Sequence, residues 1–507
     1  MSHDHRRRTV SRRALLRSAA LLATVGPAAV IAACSGTAAP PAQKPAEPAK
    51  PAAPAAAPGT PVPQAKAPEP ASKVLAPTPT DIPLYTPVPQ AAGTTKLLMR
   101  VHWSQPFYND FQTIINEYNA TQGAQDKIYI TLERFVANQA GPIATFIADF
   151  QAGTQEDIYH LDDVYLADLA SRKFFGVPPK EIQDYIKDNF IEKAVQSGVI
   201  DGQILGYPTE NQPHMIFTNK ALFKEVGIDV VAQPPKTWDD LRKIAKAVTK
   251  KDASGQKTQA GWISHYAVGG TGQRLISQRA MFQFMAGSPL VDTSGPVPKW
   301  DFTSDAARQW TDFLYNVQHV DGSGSQDMGG EDVVWIQRKG AMLSHDAYTV
   351  VFRVVRRGVP GLLEEQHAIP VMSPDGSKTG NMTRNYHFLV SSKTKYPELS
   401  WKFSKWMNEG PDFRMQKFQT DVFGFPPSVK NYHMPSVFPE QIKNAFVDSM
   451  KQPHQTLFPV TKGIPRAIDI MRDKHDALIL GQINPKEYTD QIDAELKAAM
   501  KDAYDSL

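Results

Sequence analysis

The chain has 507 residues, with 55 lysines and arginines against 52 aspartates and glutamates, a formal net charge of +3, and a single cysteine. One thiol excludes an internal disulfide and any multi-thiolate metal site. The near balance of charge, without a basic patch or a zinc-finger or RNA-binding pattern, gives no footing for nucleic-acid binding.

The N-terminal segment is basic as far as Arg17, then carries no charge from Ser18 to Ala33, with Gly26-Pro27 interrupting the apolar run. That run is too short and broken for a stable spanning helix but suits the apolar region of a secretory signal. Arg12-Arg13 in "SRRALLR" resembles a twin-arginine export signal. "IAAC" resembles a bacterial lipobox, which implies cleavage after Ala33 and acylation of Cys34. An ordinary secretory signal and a chance cysteine beside a signal-peptidase site are the bland alternatives. Loss of residues 1–33 removes six arginines and one aspartate, which leaves 49 cationic and 51 anionic residues and a net charge of −2. Residues 34–94 then form a proline- and alanine-rich linker, since residues 35–93 hold 16 of the 41 prolines. Such a tract lacks the apolar content for a core and reads as an extended spacer between a lipid anchor and a globular unit.

From about residue 95 onward the length is ample for two domains. "TTKLLMRVHW" reads as a buried strand, and "PFYNDFQTIINEYNATQ" as a helix with Phe111, Ile114, Ile115 and Tyr118 on one face. "KIYITLERF" and "DIYHLD" read as further strands, separated by the helical "PIATFIADFQAG" and followed by the helical "DVYLADLASRKFF". Strands alternating with helices imply a parallel sheet with right-handed crossovers. Ligands of such sheets sit at the carboxyl ends of strands, which singles out Trp103 and Asp162-Asp163.

The middle third carries short strands ending at Tyr207-Pro208 and in "HMIFTN", and a helix from Lys220 that Gly227 stops. Thr237 and Asp240 form a capping box for the helix after "PPKTW", so Trp238 reads as packing. The stretches "DGQILGYP", "IFTNKALFKEVGI", "PPKTWDDL", "IQRKGAMLSHDAY", "YPELSWKFSKWMNEGPDFRMQKFQTDVFGFPPSV" and "INPKEYTDQIDAELKAAM" occur in that order over roughly 95–507. In content and order they resemble family 1 of the bacterial extracellular solute-binding proteins, the carbohydrate receptors of ABC importers that include maltose-binding protein.

The resemblance implies an α/β fold of two lobes, the periplasmic-binding-protein type II arrangement, joined by three chain crossings. Carried over by motif, the crossings fall near Thr209–Gln212, Ser344–Ala347 and Gly424–Pro427. One lobe is then expected at 95–208 plus 347–423 and the other at 212–343 plus 428–507. Sugar recognition takes flat apolar platforms for C–H faces and directional polar groups for hydroxyls. On that basis the expected ligand-binding residues are Trp103, Asp162, Asp163, Glu210, Asn211, Asp346, Tyr348, Arg384, Tyr386, His387 and Phe425. Several have a structural alternative: Trp103 as a plug at a strand end, Glu210 and Asn211 as hinge structure, an Arg384–Asp346 ion pair, and Phe425 as packing. Asp162-Asp163 as a glycosidase-like carboxylate pair is a weaker option, because acidic pairs at strand ends are common.

The implied function is capture of a mono- or oligosaccharide by hinged closure, at the outer face of the cytoplasmic membrane, with delivery to the permease subunits of an ABC transporter. The expected protein is a monomer held to the membrane by Cys34, with no cofactor, no bound metal, no nucleic-acid partner and no catalysis. A receptor of the same fold for a glycerophosphodiester or a polyamine is the alternative. A lipid-anchored polysaccharide-degrading enzyme stands behind both, since the chain has no nucleophile elbow, P-loop or HExxH to support one.

Overall fold

The computed structural model describes residues 86–102, 105–135, 141–263, 272–295, 297–345, 359, 361–431 and 440–505. The signal, Cys34 and most of the proline-rich tract lie outside the described residues, and so do Trp103, Asp346 and Tyr348. All described residues fall in one compact unit, Ser72–Leu507.

The first three expected strands form as β1 (Thr95–Val101), β2 (Ile128–Arg134) and β3 (Ile158–Asp162). β1 pairs in parallel with both of the others. The helices between them are α1 (Gln105–Ala120) and α2 (Gly141–Ala152), and α3 (Asp163–Ala170) follows β3 directly. Phe111, Ile114, Ile115 and Tyr118 of α1 are all buried against this sheet, as their spacing requires.

After β4 (Gly206–Pro208) the chain enters a second sheet with β5 (Gln212–Asn219). That sheet also takes β6 (Lys250–Lys251), β7 (Lys257–Ile263), β8 (Gly340–His345), β9 (Gln366–Ile369), β10 (Val371–Met372) and β11 (Thr379–Arg384). β12 (Tyr386–Val390) returns to the first sheet, and β13 (His454–Leu457) pairs with β11 in the second. The first sheet has the order β2-β1-β3-β12-β4, with β12 antiparallel to both neighbours. The second runs β10-β11-β5-β8-β7-β6, with β9 and β13 added to β5 and β11. Two sheets of this kind, each covered by helices, are the two lobes of a periplasmic-binding fold.

The capping box forms as read: Asp240 N donates to the Thr237 hydroxyl at 3.0 Å, and the Asp240 carboxylate accepts from Thr237 N at 3.1 Å. Trp238 is buried, and its indole N–H donates to the Met372 carbonyl at 2.8 Å.

The crossings differ in place from the expectation. Thr209–Asn211 does join β4 to β5. The chain next passes between sheets at Asn385, because β9–β11 pair in the second sheet and not in the first. Residues 366–384 therefore belong with lobe 2, against the expected return near Ser344–Ala347. The run "NMTRNYHFLV" holds the end of β11 and the start of β12, which lie in different sheets. The last passage also moves. Val429 still bridges Phe190, Lys430 N still bonds Asn189 O, and Glu440–Ser449 packs on β5 and β9, so the chain changes lobe after Lys430 and not at Gly424–Pro427.

The first two crossings lie side by side. Pro208 is opposite His387 on one side, Gln212 is opposite Arg384 on the other, and Thr209 N donates to Tyr386 O at 2.8 Å between them. A second interlobe contact comes from the helix Ile464–Ile479, whose N-cap Gly463 N donates to the Asp168 carboxylate of α3 at 3.0 Å.

Candidate functional site

Where β3 and β11 end, β12 begins and the paired crossings lie, polar side chains collect with almost no exposure. Asp162, Asp163, Glu210, Asn211, Arg384, Tyr386 and His387 are each at most 6% exposed.

Asp162 performs two tasks at once. Its Oδ1 accepts from Val164 N at 3.0 Å and caps α3, while its Oδ2 accepts from Arg384 Nη2 at 2.6 Å. The same guanidinium nitrogen is 3.3 Å from the Tyr386 hydroxyl. Burial pushes the Asp162 carboxyl above its usual range, and Arg384 pulls it back only part of the way.

Asp163 faces the second crossing. Its carboxylate accepts from Asn385 N at 2.8 Å and lies 2.9 Å from His387 Nε2. Ser197 Oγ is 3.3 Å from that same Nε2 and donates to Ala194 O at 2.8 Å. A serine–histidine–aspartate relay needs serine and aspartate on opposite ring nitrogens. Here they share one, so this trio ties backbone together and does not make a nucleophile.

Glu210 is held by two amides: Gln419 Nε2 donates to its Oε1 at 2.7 Å, and Gln212 Nε2 donates to its Oε2. His160 Nε2 lies 3.8 Å from Oε1 and 2.7 Å from the Thr209 hydroxyl. That hydroxyl donates to Tyr386 O at 3.0 Å, so His160 Nε2 is the donor toward Thr209. The rings of His102 and Tyr386 stack at 4.2 Å, and those of His102 and His160 at 5.2 Å. Burial lowers His102 to about 3 and His160 well below its usual value, so both imidazoles are neutral near pH 7. Burial also raises Glu210 and Tyr386 well above their usual values.

Asn211 Nδ2 contacts Met450 Sδ at 3.2 Å. Phe425 is 2% exposed and stacks on Phe423 at 5.6 Å within the lobe 1 core, so it packs where a ligand platform was expected. On the lobe 2 side, at the end of β8, His345 lies 3.5 Å from Glu331, and Arg274 pairs with the same carboxylate. Beside Ser197 a cavity of about 420 Å³ opens between the lobes, lined by Lys193 and Gln196 on one side and Phe284, Thr293 and Gln455 on the other.

The structure thus brings Asp162, Glu210, Arg384 and Tyr386 into one network and puts Asp163 and His387 behind it. Sequence reasoning missed His102, His160, Thr209 and Gln419. His102 was legible from "VHW", where it precedes Trp103 on the strand already singled out. Gln419 was not, because its approach to Glu210 spans 209 positions in sequence.

The family model of bacterial extracellular solute-binding proteins matches residues 109–409, and the chain belongs to that family. Among curated proteins it is similar to the sn-glycerol-3-phosphate-binding periplasmic protein of Escherichia coli strain K12, 27% identical over 151 residues, with 27% of this chain and 33% of that protein covered. The chain therefore matches about a third of the length of that relative. Among solved structures, the ABC substrate-binding protein from Listeria monocytogenes in complex with cycloalternan has a TM-score of 0.64 at 14% identity, over 80% of this chain and 99% of that one. The sugar-binding protein MalE from Xanthomonas citri has a TM-score of 0.63 at 14% identity, over 80% and 98%. At such identities the likeness is one of fold.

Proposed function

We propose that this solute-binding protein captures a neutral carbohydrate between its lobes and passes it to the permease of an ABC transporter. One observation carries the choice of ligand charge: Arg384 at the end of β11 and Arg274 in the first turn of the helix Gly272–Met285 already face carboxylates. Arg384 engages Asp162, and Arg274 engages Glu331. A phosphate-bearing solute would have to take Arg384 from Asp162 while approaching Asp163, which adds like-charge repulsion in a poorly solvated site. A neutral polyol meets no such penalty and uses carboxylates, amides and imidazoles as directional partners. The solved relatives of this fold named for sugars support the same reading, and the glycerol-3-phosphate-binding relative supports the runner-up.

The two-strand crossing supplies the mechanism. Paired antiparallel segments joined by one hydrogen-bonded rung allow the lobes to rotate with small backbone changes. A ligand stabilises closure only as far as it binds the closed form better than the open one. The signal and "IAAC" support export and tethering through Cys34, so that captured solute stays near the membrane.

Titration calorimetry with a panel of neutral mono- and oligosaccharides and with sn-glycerol 3-phosphate tests the reading. A micromolar sugar, about 8 kcal/mol of binding free energy, with a smaller radius of gyration by scattering, is the expected result. Binding of the phosphate alone would move the assignment to the runner-up, and appearance of a cleaved sugar would move it to an enzyme.

A further inference from the structure

Glu210 is 2% exposed, and no guanidinium or ammonium group lies within salt-bridge distance of it among the described residues. Its contacts are the neutral amides of Gln212 and Gln419 and the imidazole of His160. A carboxylate buried without a cation is costly unless it is protonated or a cation binds there. Two imidazoles complete the surroundings: one nitrogen each of His102 and His160 and one oxygen of Glu210 all lie within 4.8 Å of one another. His102 directly follows β1, His160 is on β3 and Glu210 is on the first crossing.

We propose that His102, His160 and Glu210 form a binding site for a zinc-class divalent cation. Two imidazoles and a carboxylate are a donor set that zinc accepts. Ligands at about 2.0–2.1 Å in a tetrahedron stand about 3.4 Å apart, so separations of up to 4.8 Å shorten by up to about 1.4 Å around the ion. Supporting contacts are in place for two of the three: the amides hold Glu210, and a hydrogen bond to the His160 backbone orients His102. The field has the right sign, because Asp162 and Asp163 outnumber Arg384, which Asp162 draws to itself. Ligation through His160 Nε2, the nitrogen 3.8 Å from Glu210, takes the tautomer with the proton on Nδ1 and gives up the hydrogen bond to Thr209.

The test uses the full chain, stripped with a chelator and titrated with zinc chloride by calorimetry, and with cobalt(II) followed by visible absorption. The expected result is one zinc per chain and cobalt bands of a four-coordinate ion. Glu210→Gln and His102→Phe should each weaken zinc binding at least tenfold and lose those bands. His3→Ala with His5→Ala should change neither, which separates this site from the signal segment. If Glu210→Gln does not fold, by circular dichroism, His102→Phe decides, since a phenyl ring keeps the stack on Tyr386. Zinc binding unchanged by either variant, or absent from the stripped chain, overturns the site and leaves Glu210 as a buried protonated acid. Zinc is the probe, so the outcome is independent of which solute the lobes capture.

Discussion

Arg384 ends the last inner strand of one lobe, Asp162 ends the third strand of the other, and their side chains meet at 2.6 Å with 4% and 0% exposure. The ion pair spans the lobes at the point where the chain crosses. Removing one partner of such a pair leaves a buried charge and costs about 3–5 kcal/mol, whereas replacing both costs far less. Arg384→Met should therefore lower unfolding stability by about that amount. Arg384→Met with Asp162→Asn should recover much of the loss, apart from about 0.5–2 kcal/mol if the α3 cap weakens. Denaturant titrations of both variants and of Asp162→Asn alone measure the coupling. Strictly additive losses would show that the pair is not a unit.

Glu210 gives a pH dependence of defined sign. Its carboxyl is raised above the ordinary 4.5 by burial, so the folded chain holds the proton where the unfolded chain has lost it. Stability from this group is complete below about 4.5 and falls as pH rises through the folded value. His102 and His160, both lowered by burial, act in the opposite direction below about 6.5. They are common to the native chain and to Glu210→Gln, so they cancel in the difference. In chelator, the Tm of Glu210→Gln minus that of the native chain should be small near pH 4.5 and grow toward neutral pH. A flat difference over that span would mean that Glu210 is solvated.

The tether is tested by fractionation. Cys34→Ala removes the only thiol, and with it any acyl chain at that position. A single chain holds a protein only marginally and several hold it firmly, so the change should move the protein from membrane to soluble fraction while sugar affinity stays the same. Retention after an alkaline wash would exclude Cys34 as the anchor. Arg12→Lys with Arg13→Lys keeps the charge and removes the guanidinium pair. It should abolish export if the twin-arginine route is used.

What was legible in the sequence was mostly local. The period-two and period-3.6 patterns of the first third, and the Thr237–Asp240 box, depend on neighbours a few residues apart and appear where they were read. The second crossing was not legible, because Asn385 lies inside a continuous apolar-polar run and only the pairing of Gln212 with Arg384 and of Pro208 with His387 shows that the run is divided. The same holds for the site. Asp162 and Asp163 were found from their place after a strand, but their different duties follow from partners 222 positions away. Phe425 looked like a platform because it sits in "GFPP" at the expected third crossing, while its ring lies against Phe423 in the core. His160 was not legible, because a lone imidazole in a strand carries no pattern until the fold brings His102 beside it.

Trp103 remains the aromatic group for which we propose direct contact with a sugar face; it follows β1 and His102, whose ring begins the stack with Tyr386 and His160. An aromatic ring against a sugar face contributes roughly 1–3 kcal/mol by area and ring contact. Trp103→Ala should therefore weaken binding by about one to two decades with little change in Tm. A tryptophan that seals the strand end behaves in the reverse way, since deleting such a buried ring costs about 3–5 kcal/mol of stability. Calorimetry and a thermal melt on the same variant separate the two. A sharp drop in Tm with unchanged affinity would remove Trp103 from the site and leave the His102–Tyr386 stack as the aromatic surface nearest the crossings.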